Sequence, residues 1–404
     1  MAICRNIHII NHLPHVYELE DLIDFCGRYE HLYIFGHTEE QEWLLKFFDV
    51  CGIDVDGYVV TRVKNDEKGN RYCELPVLSL DEVLKLQKTG IILGIRDQLF
   101  GEIIPVLREK GFADYFQMTE HTRIGIIEQM LPRSQEEMTF EVSLTDHCNL
   151  SCQMCDHFAQ LSEPWFVDAD QFERDMRRMG ELFDHRIGAV TLEGGEPALH
   201  PELLSFIRIT RREFPDAQVI VLTNGTLLLQ WEHSPHGNFW EVCRENRVDI
   251  KVTVYPIAID YEQLQEKAVK YQVPIEMSSN IHAEELSRLV KISDKHPMDL
   301  KGSIPKYQCV HCLYFNKFNV VKDGRYYMCP IEAHINIFNH RFGENLSYAE
   351  GDWLDIYKVK DWHEFAEYSS NWIPFCRYCD QKHWRHHSEW KISSRMIEEY
   401  VDAE

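Results

Sequence analysis

The chain has 404 residues, enough for two or three domains that each bury a core. Hydrophobic residues make up 44% and charged residues 27%, as in ordinary globular proteins, and apolar runs such as "VIVLT" and "IILGI" are strand-length, too short to cross a bilayer. With 66 acidic against 42 basic residues the formal charge is −24, which argues against a nucleic acid or other polyanion as partner.

The opening "MAICRNIHIINHLPHVY" has no long apolar run after its arginine, so no secretory signal is expected and the location reads as cytoplasmic. In that compartment 13 cysteines do not make a disulfide framework. Cys4, Cys26, Cys51, Cys73 and Cys243 stand alone and read as small buried hydrophobes. The other eight fall into two groups, at 148–155 and 309–379.

Residues 31–118 alternate strand and helix signals. The strand "HLYIFG" leads to the helix "EEQEWLLKFFDVCG", which ends on Gly52. The strand "DGYVVT", a polar turn "KNDEKGN" and the helix "SLDEVLKLQ" behind Ser79 follow. The strand "IILGI", a helix around "IIPVLREKGF" and the strand "DYFQM" complete the series. Short apolar strands alternating with helices predict a parallel, Rossmann-like sheet covered on both faces. The loop after the first strand, "FGHTEEQ", has Gly36 alone where a dinucleotide fingerprint has three glycines, which argues against NAD. With "YIFG", "GYVVT" and "LPVLSLDEV" in order, this part resembles the nucleotide-sugar-binding domains that precede sugar acetyltransferases; a docking domain without a ligand is the alternative.

After a linker at 119–137, a second βα series begins at "TFEVSLTDHC". It runs through the strands "GAVTLEGG", "AQVIVLTNG", "DIKVTVYP" and "PIEMSS" with helices between. Five or six βα units fall short of eight, so an open, partial barrel is expected, with its active residues at the C-terminal strand ends.

The first strand runs into "CNLSCQMC", which holds Cys148, Cys152 and Cys155. Three thiolates can hold three irons of a cubane and leave the fourth open. Cys-x3-Cys-x2-Cys after a first βα strand resembles the signature of the radical S-adenosylmethionine (SAM) superfamily. That resemblance implies a [4Fe–4S] cluster whose open iron SAM chelates, and a 5′-deoxyadenosyl radical formed when one electron splits SAM. It also assigns "EGGEP", with Gly194, Gly195, Glu196 and Pro197, to the SAM amino group. Thr223 and Asn224 of "TNG" occupy a further SAM-side position, and Thr253 and Tyr255 of "TVYP" occupy the ribose position. Met154, where the family often has an aromatic residue, can pack on adenine. A zinc knuckle with a distant fourth ligand is the competing reading of the three cysteines.

The second group comprises Cys309, Cys312, Cys329, Cys376 and Cys379. "FNVVKDGRYYMCP" reads as two strands around a "KDG" turn. The spacing resembles the twitch and SPASM extensions of the same superfamily, which implies a second, fully ligated [4Fe–4S] cluster with Cys309 or Cys312 as the spare. Structural zinc held by Cys376, Cys379 and two of His383, His386 and His387 is the alternative.

The expected architecture is therefore α/β in three parts: a Rossmann-like domain at 1–120, a partial (β/α)6 radical SAM barrel at 138–300 and a small iron–sulfur domain at 301–404. The expected function is oxidation or epimerisation of a sugar or sugar-like alcohol, with a small molecule such as a nucleotide sugar as substrate. Flavodoxin or ferredoxin would be the electron donor, with no nucleic acid and no membrane as partner. Peptide maturation and a non-catalytic zinc or iron–sulfur module are the alternatives. No catalytic acid or base stands out among the 66 acidic residues.

Overall fold

The structure, a computed structural model, describes residues 21–36, 41–62, 71–119, 133–278, 294–303, 312–380 and 390–401 for the most part, with a handful of positions between those ranges. The chain divides into two compact units, one of Met1–Leu131 and the other of Pro132–Gln308 with Cys312–Glu404.

In the first unit the strands β1 (His31–Phe35), β2 (Gly57–Val60), β3 (Arg71–Tyr72), β4 (Leu75–Ser79), β5 (Thr89–Leu93) and β6 (Tyr115–Gln117) form one sheet in the order β3-β4-β2-β1-β5-β6. All neighbours are parallel except the edge strand β3. Buried apolar strands connected by the helices α1 (Gln41–Val50), α2 (Leu80–Val83) and α3 (Phe100–Glu109) give the expected Rossmann-like layout. Strand β4 was not expected, because the expected order passes from the polar turn directly to the helix behind Ser79; its second residue is Pro76. It is accommodated beside the two-residue strand β3, opposite Arg71, where the ladder needs least from it. Gly36 ends β1 at φ +81, and an added Cβ would strike the Ile95 side chain, so backbone geometry alone accounts for this glycine.

In the second unit, β7 (Thr139–Ser143), β8 (Ala189–Glu193), β9 (Gln218–Thr223), β10 (Val248–Thr253) and β11 (Ile275–Ser278) are successive parallel strands. The connecting helices are α4 (Ala169–Leu182), α5 (Leu203–Glu213), α6 (Phe239–Glu245) and α7 (Tyr261–Tyr271). Side chains of Asp168, Asn238 and Asp260 cap α4, α6 and α7. Strand alternation sets which face is apolar. Phe140, Val142, Leu144, Val190, Leu192, Val219, Val221, Ile250 and Val252 share one core with Phe172, Met176 and Met179 of α4. The intervening residues, among them Glu141, Ser143, Glu193 and Lys251, therefore belong to the opposite face.

A two-residue ribbon pairs β12 (Asp294–Lys295) with β16 (Arg385–His386). The hairpin β13 (Val320–Lys322) and β14 (Arg325–Tyr327) turns on Asp323 and Gly324, both at positive φ, as a two-residue turn of this hand requires. Strand β13 pairs parallel with β7, and β14 pairs with β15 (Trp353–Asp355), so the hairpin extends the same eight-stranded sheet, β11-β10-β9-β8-β7-β13-β14-β15. Helix α8 (Pro330–Phe342) follows Cys329 directly, and α9 (Trp362–Ser369) adds Phe365 and Ala366 to the main core.

Candidate active site at the strand ends

Strand β7 delivers the chain into the loop that holds Cys148, Cys152 and Cys155. Cys152 is buried, and the other two are half-buried. Burial pushes the Cys148 thiol up to about 12, and the Glu196 carboxylate and the neighbouring Cys155 and Cys152 act in the same direction. The Cys148 thiol therefore needs a bound cation to become a thiolate at neutral pH. Asp156 and His157 lie within ligand reach of Cys155. The His157 ring, however, is engaged at Nδ1 by Asp156 Oδ1, 2.9 Å away, and at Nε2 by Glu193 Oε1, 2.8 Å away. That leaves it no free lone pair, and three thiols without a free histidine beside them fit a [4Fe–4S] cluster better than a closed zinc site.

The "GGEP" turn after β8 packs on this loop through its backbone. Gly195 N–H donates to Thr145 O at 2.6 Å and Glu196 N–H to His147 O at 2.9 Å. Gly194 sits at φ +132, and a Cβ on Gly195 would fall on the His147 carbonyl, so both positions require glycine. Pro197 opens a buried single turn. The Glu196 carboxylate is buried and accepts from Ala198 N–H (3.0 Å), the Thr223 hydroxyl (2.6 Å) and Asn224 N–H (2.8 Å). Burial raises its pKa against those hydrogen bonds. Asn224 in turn donates to Asn149 Oδ1 at 2.8 Å and lies 3.8 Å from Cys148 Sγ. The structure thus joins Cys148, Glu196, Thr223 and Asn224 in one network, and the Glu196 side chain is spent on fastening the two turns together. Thr253 closes β10, half-buried. Tyr255 is buried beyond it, with its N–H donating to Tyr261 Oη at 2.9 Å and its ring 5.7 Å from that of Trp390.

A polar cluster that the sequence reading missed occupies the face of β7 and β8 opposite the helices. Glu141 shares a hydrogen bond with Glu193, and burial, then the Glu193 charge, raises its pKa well above the ordinary carboxylate range. Burial opposes charge on His157, but Glu193 and Asp156 outweigh it and lift its pKa well above the usual value. His334 of α8 reaches Ser143 Oγ at 3.0 Å, and its ring lies 4.8 Å from that of His157. Burial and then the Lys322 cation bring His334 down to about 4. Asp146, despite its burial, is held at about 2 by His334 and by Lys322, with which it is paired. The Lys322 ammonium also lies 4.7 Å over the Trp165 ring. The one legible signal was Glu141 in mid-strand between Phe140 and Val142.

Of the second cysteine group, Cys309 lies outside the described residues, as does His387; the His386 side chain is likewise not described. Cys329 is buried, and burial raises its pKa strongly, followed by the charges of Glu332, Cys379 and Cys312. Cys376 acts on Glu332 in the same way. Cys312 and Cys379 thus lie near Cys329, and Cys376 lies near Glu332 and beside Cys379. Cys379 also pairs by a β-bridge with Met298. His383 Nδ1 is 2.7 Å from Asp380 Oδ2. No helix of the described residues is long and apolar enough to cross a membrane.

The family model of the radical SAM superfamily matches residues 142–253. A protein of Pyrococcus horikoshii named probable GTP 3′,8-cyclase is 36% identical over 87 residues, 22% of this chain and 26% of its own length. The GTP 3′,8-cyclase of Clostridium perfringens strain SM101 is 22% identical over 179 residues, 40% of this chain and 53% of its own. The chain therefore spans 26% and 53% of the length of these two curated relatives. Among solved structures, BtrN in complex with AdoMet and 2-DOIA aligns over 66% of this chain and 98% of BtrN, with a TM-score of 0.39 and 17% identity. Streptococcus suis SuiB bound to precursor peptide SuiA aligns over 59% of this chain and 73% of SuiB, with a TM-score of 0.29 and 12% identity. Residues 142–253 thus carry a radical SAM domain, the kind of domain that holds a [4Fe–4S] cluster and SAM.

Proposed function

We propose that the protein is a cytoplasmic radical SAM enzyme that oxidises or epimerises an alcohol carbon of a small polar molecule, sugar or sugar-like. Cys148, Cys152 and Cys155 would hold the cluster, with SAM beside the turns at 194–197 and 223–224. When bound, these cofactors supply a carbon radical that abstracts a hydrogen atom. The observation that carries the substrate class is the charged face of β7 and β8. A closed barrel interior is packed with branched apolar residues, whereas here Glu141, Glu193, His157, Asp146 and Lys322 converge beside the cysteine loop. Such groups suit hydroxyls and amines better than an apolar peptide side chain.

Converting a secondary alcohol to a ketone removes a hydrogen atom from carbon, a proton from oxygen and one further electron. The Glu193 or Asp146 carboxylate, now bonded to His157 and to Lys322 respectively, would orient the hydroxyl and take the proton. Cys312, Cys329, Cys376 and Cys379 would hold a second [4Fe–4S] cluster and thereby supply the electron acceptor. A flavodoxin or ferredoxin would deliver the electron that starts the reaction. The first unit would bind a sugar nucleotide or dock a protein.

The test is anaerobic incubation of the reconstituted protein with protonated and deuterated nucleotide sugars, with GTP because of the relatives' names, and with peptides. Deuterium entering 5′-deoxyadenosine from a sugar carbon is expected. Transfer from a peptide carbon instead would replace this reading with peptide maturation.

A further inference from the structure

Residues 390–393 run antiparallel against the cysteine loop. Gln153 N–H donates to Lys391 O at 2.9 Å, Ser393 N–H donates to Ser151 O at 2.8 Å, and Cys152 and Ile392 are bridge partners. The strap is held from the other side by Tyr400, which closes its chain end by packing on Phe158 and Phe338 and by bonding Gln160. Trp390 opens the strap, and its ring meets Tyr255 edge-on at 5.7 Å. Tyr255 is itself fixed by Tyr261 just past β10. The strap thus crosses from the loop after β7 to the end of β10. The strands between them, β8 and β9, carry the turns at 194–197 and 223–224. Ligands of open α/β sheets bind along this rim of strand ends.

The Trp390 indole Nε1–H is buried and has no hydrogen-bond partner among the described residues. A buried indole N–H ordinarily finds one, because a stranded donor costs free energy. Trp240 has the same deficit, but it is packed in the apolar core between Phe239 and Tyr271, where no ligand can reach it. Trp390 is at the rim, between a cluster-ligand loop and an aromatic side chain.

We propose that Trp390 is a SAM-binding residue supplied by the C-terminal strap: its indole forms a wall of the adenosyl pocket opposite the glycine turn, and its Nε1–H donates to the adenosyl group. The inference rests on the radical SAM reading of the domain. It makes the C-terminal strap part of the cofactor site, so that the strap closes over SAM and shields it from water.

The test compares wild type, Trp390→Phe and Trp390→Ala after anaerobic reconstitution, with iron content and the cluster's visible absorption measured first. None of the three cysteines is altered, so iron content should be unchanged. Calorimetric titration with SAM should then show Kd raised about three- to tenfold in Trp390→Phe, which keeps the ring and loses the donor. Trp390→Ala should lose more than about tenfold, as removal of a buried aromatic anchor does. Hydrogen exchange of the 390–396 segment should slow on SAM addition in the wild type only. Wild-type affinity in a cluster-loaded Trp390→Phe would overturn the proposal, and if Trp390→Ala fails to fold, Trp390→Phe still decides. A cluster-loaded wild type that binds no SAM would instead overturn the radical SAM reading itself, a separate outcome.

Discussion

Glu196 accepts from three donors on two turns, and that defines what its loss would do. Glu196→Gln places an amide donor against one of them. Stranding a buried donor costs about 1–3 kcal/mol, so the anaerobic apo-protein should melt several degrees lower, at about 2–4 °C per kcal/mol for a unit this size. An unchanged Tm would show that the carboxylate does not fasten the turns. Glu141 gives a second prediction, about pH. Its pKa lies above the ordinary 4.5, so its protonated form stabilises the fold fully below that value. The contribution fades as pH climbs through the raised pKa. Glu141→Gln does not titrate, so its Tm should gain on the wild type as pH rises above the ordinary carboxylate range. A difference that stays constant over that rise would contradict the assignment. These two residues also mark what the sequence could and could not disclose. Glu196 stood in a recognisable turn, although its side chain serves the protein more than the ligand. Glu141 was overlooked because its cluster is assembled from afar: Glu141 meets Glu193 of the next strand, Ser143 meets His334 across 191 positions and Lys322 meets Asp146 across 176. Only the folded sheet brings them together.

Among elements, the strands and helices of both series were legible, because each has its own period and cap, as with Asp168 before α4 and Asn238 before α6. Strand β4 was not, since its five residues, Pro76 among them, carry too little pattern of their own. The destination of the hairpin was also hidden. Its turn was readable from "KDG", yet nothing local says that β13 pairs with β7. That pairing carries Lys322 to Asp146 and, through α8, His334 to Ser143, so the element expected to serve a second metal also completes the polar cluster. The hairpin leads into Cys329, near Cys312 and Cys379. If these thiols hold a second cubane, the reconstituted wild type carries about eight irons per chain and a Cys376→Ala, Cys379→Ala double variant about four, by cubane stoichiometry. One zinc in place of the second four irons, lost on His383→Ala, would assign the group to structural zinc instead.

At the scale of the molecule, two units with separate sheets leave the cysteine loop, the glycine turn, the polar cluster and the C-terminal strap all within the second. The pieces are drawn from positions 141 to 400, so the site is as much a product of the C-terminal hundred residues as of the domain at 142–253. That dependence explains why the motif was readable and the surrounding chemistry was not: three cysteines in eight positions are local, whereas Trp390 reaches Tyr255 only through the fold. The central claim is that Cys148, Cys152 and Cys155 hold the cluster at which SAM is cleaved. The direct measurement is 5′-deoxyadenosine formed under reducing, anaerobic conditions by reconstituted wild type and by the triple alanine variant at those three positions. Formation by the wild type and none by the variant, with the iron of the second group retained, is the predicted result; a triple variant that still cleaves SAM would contradict the account.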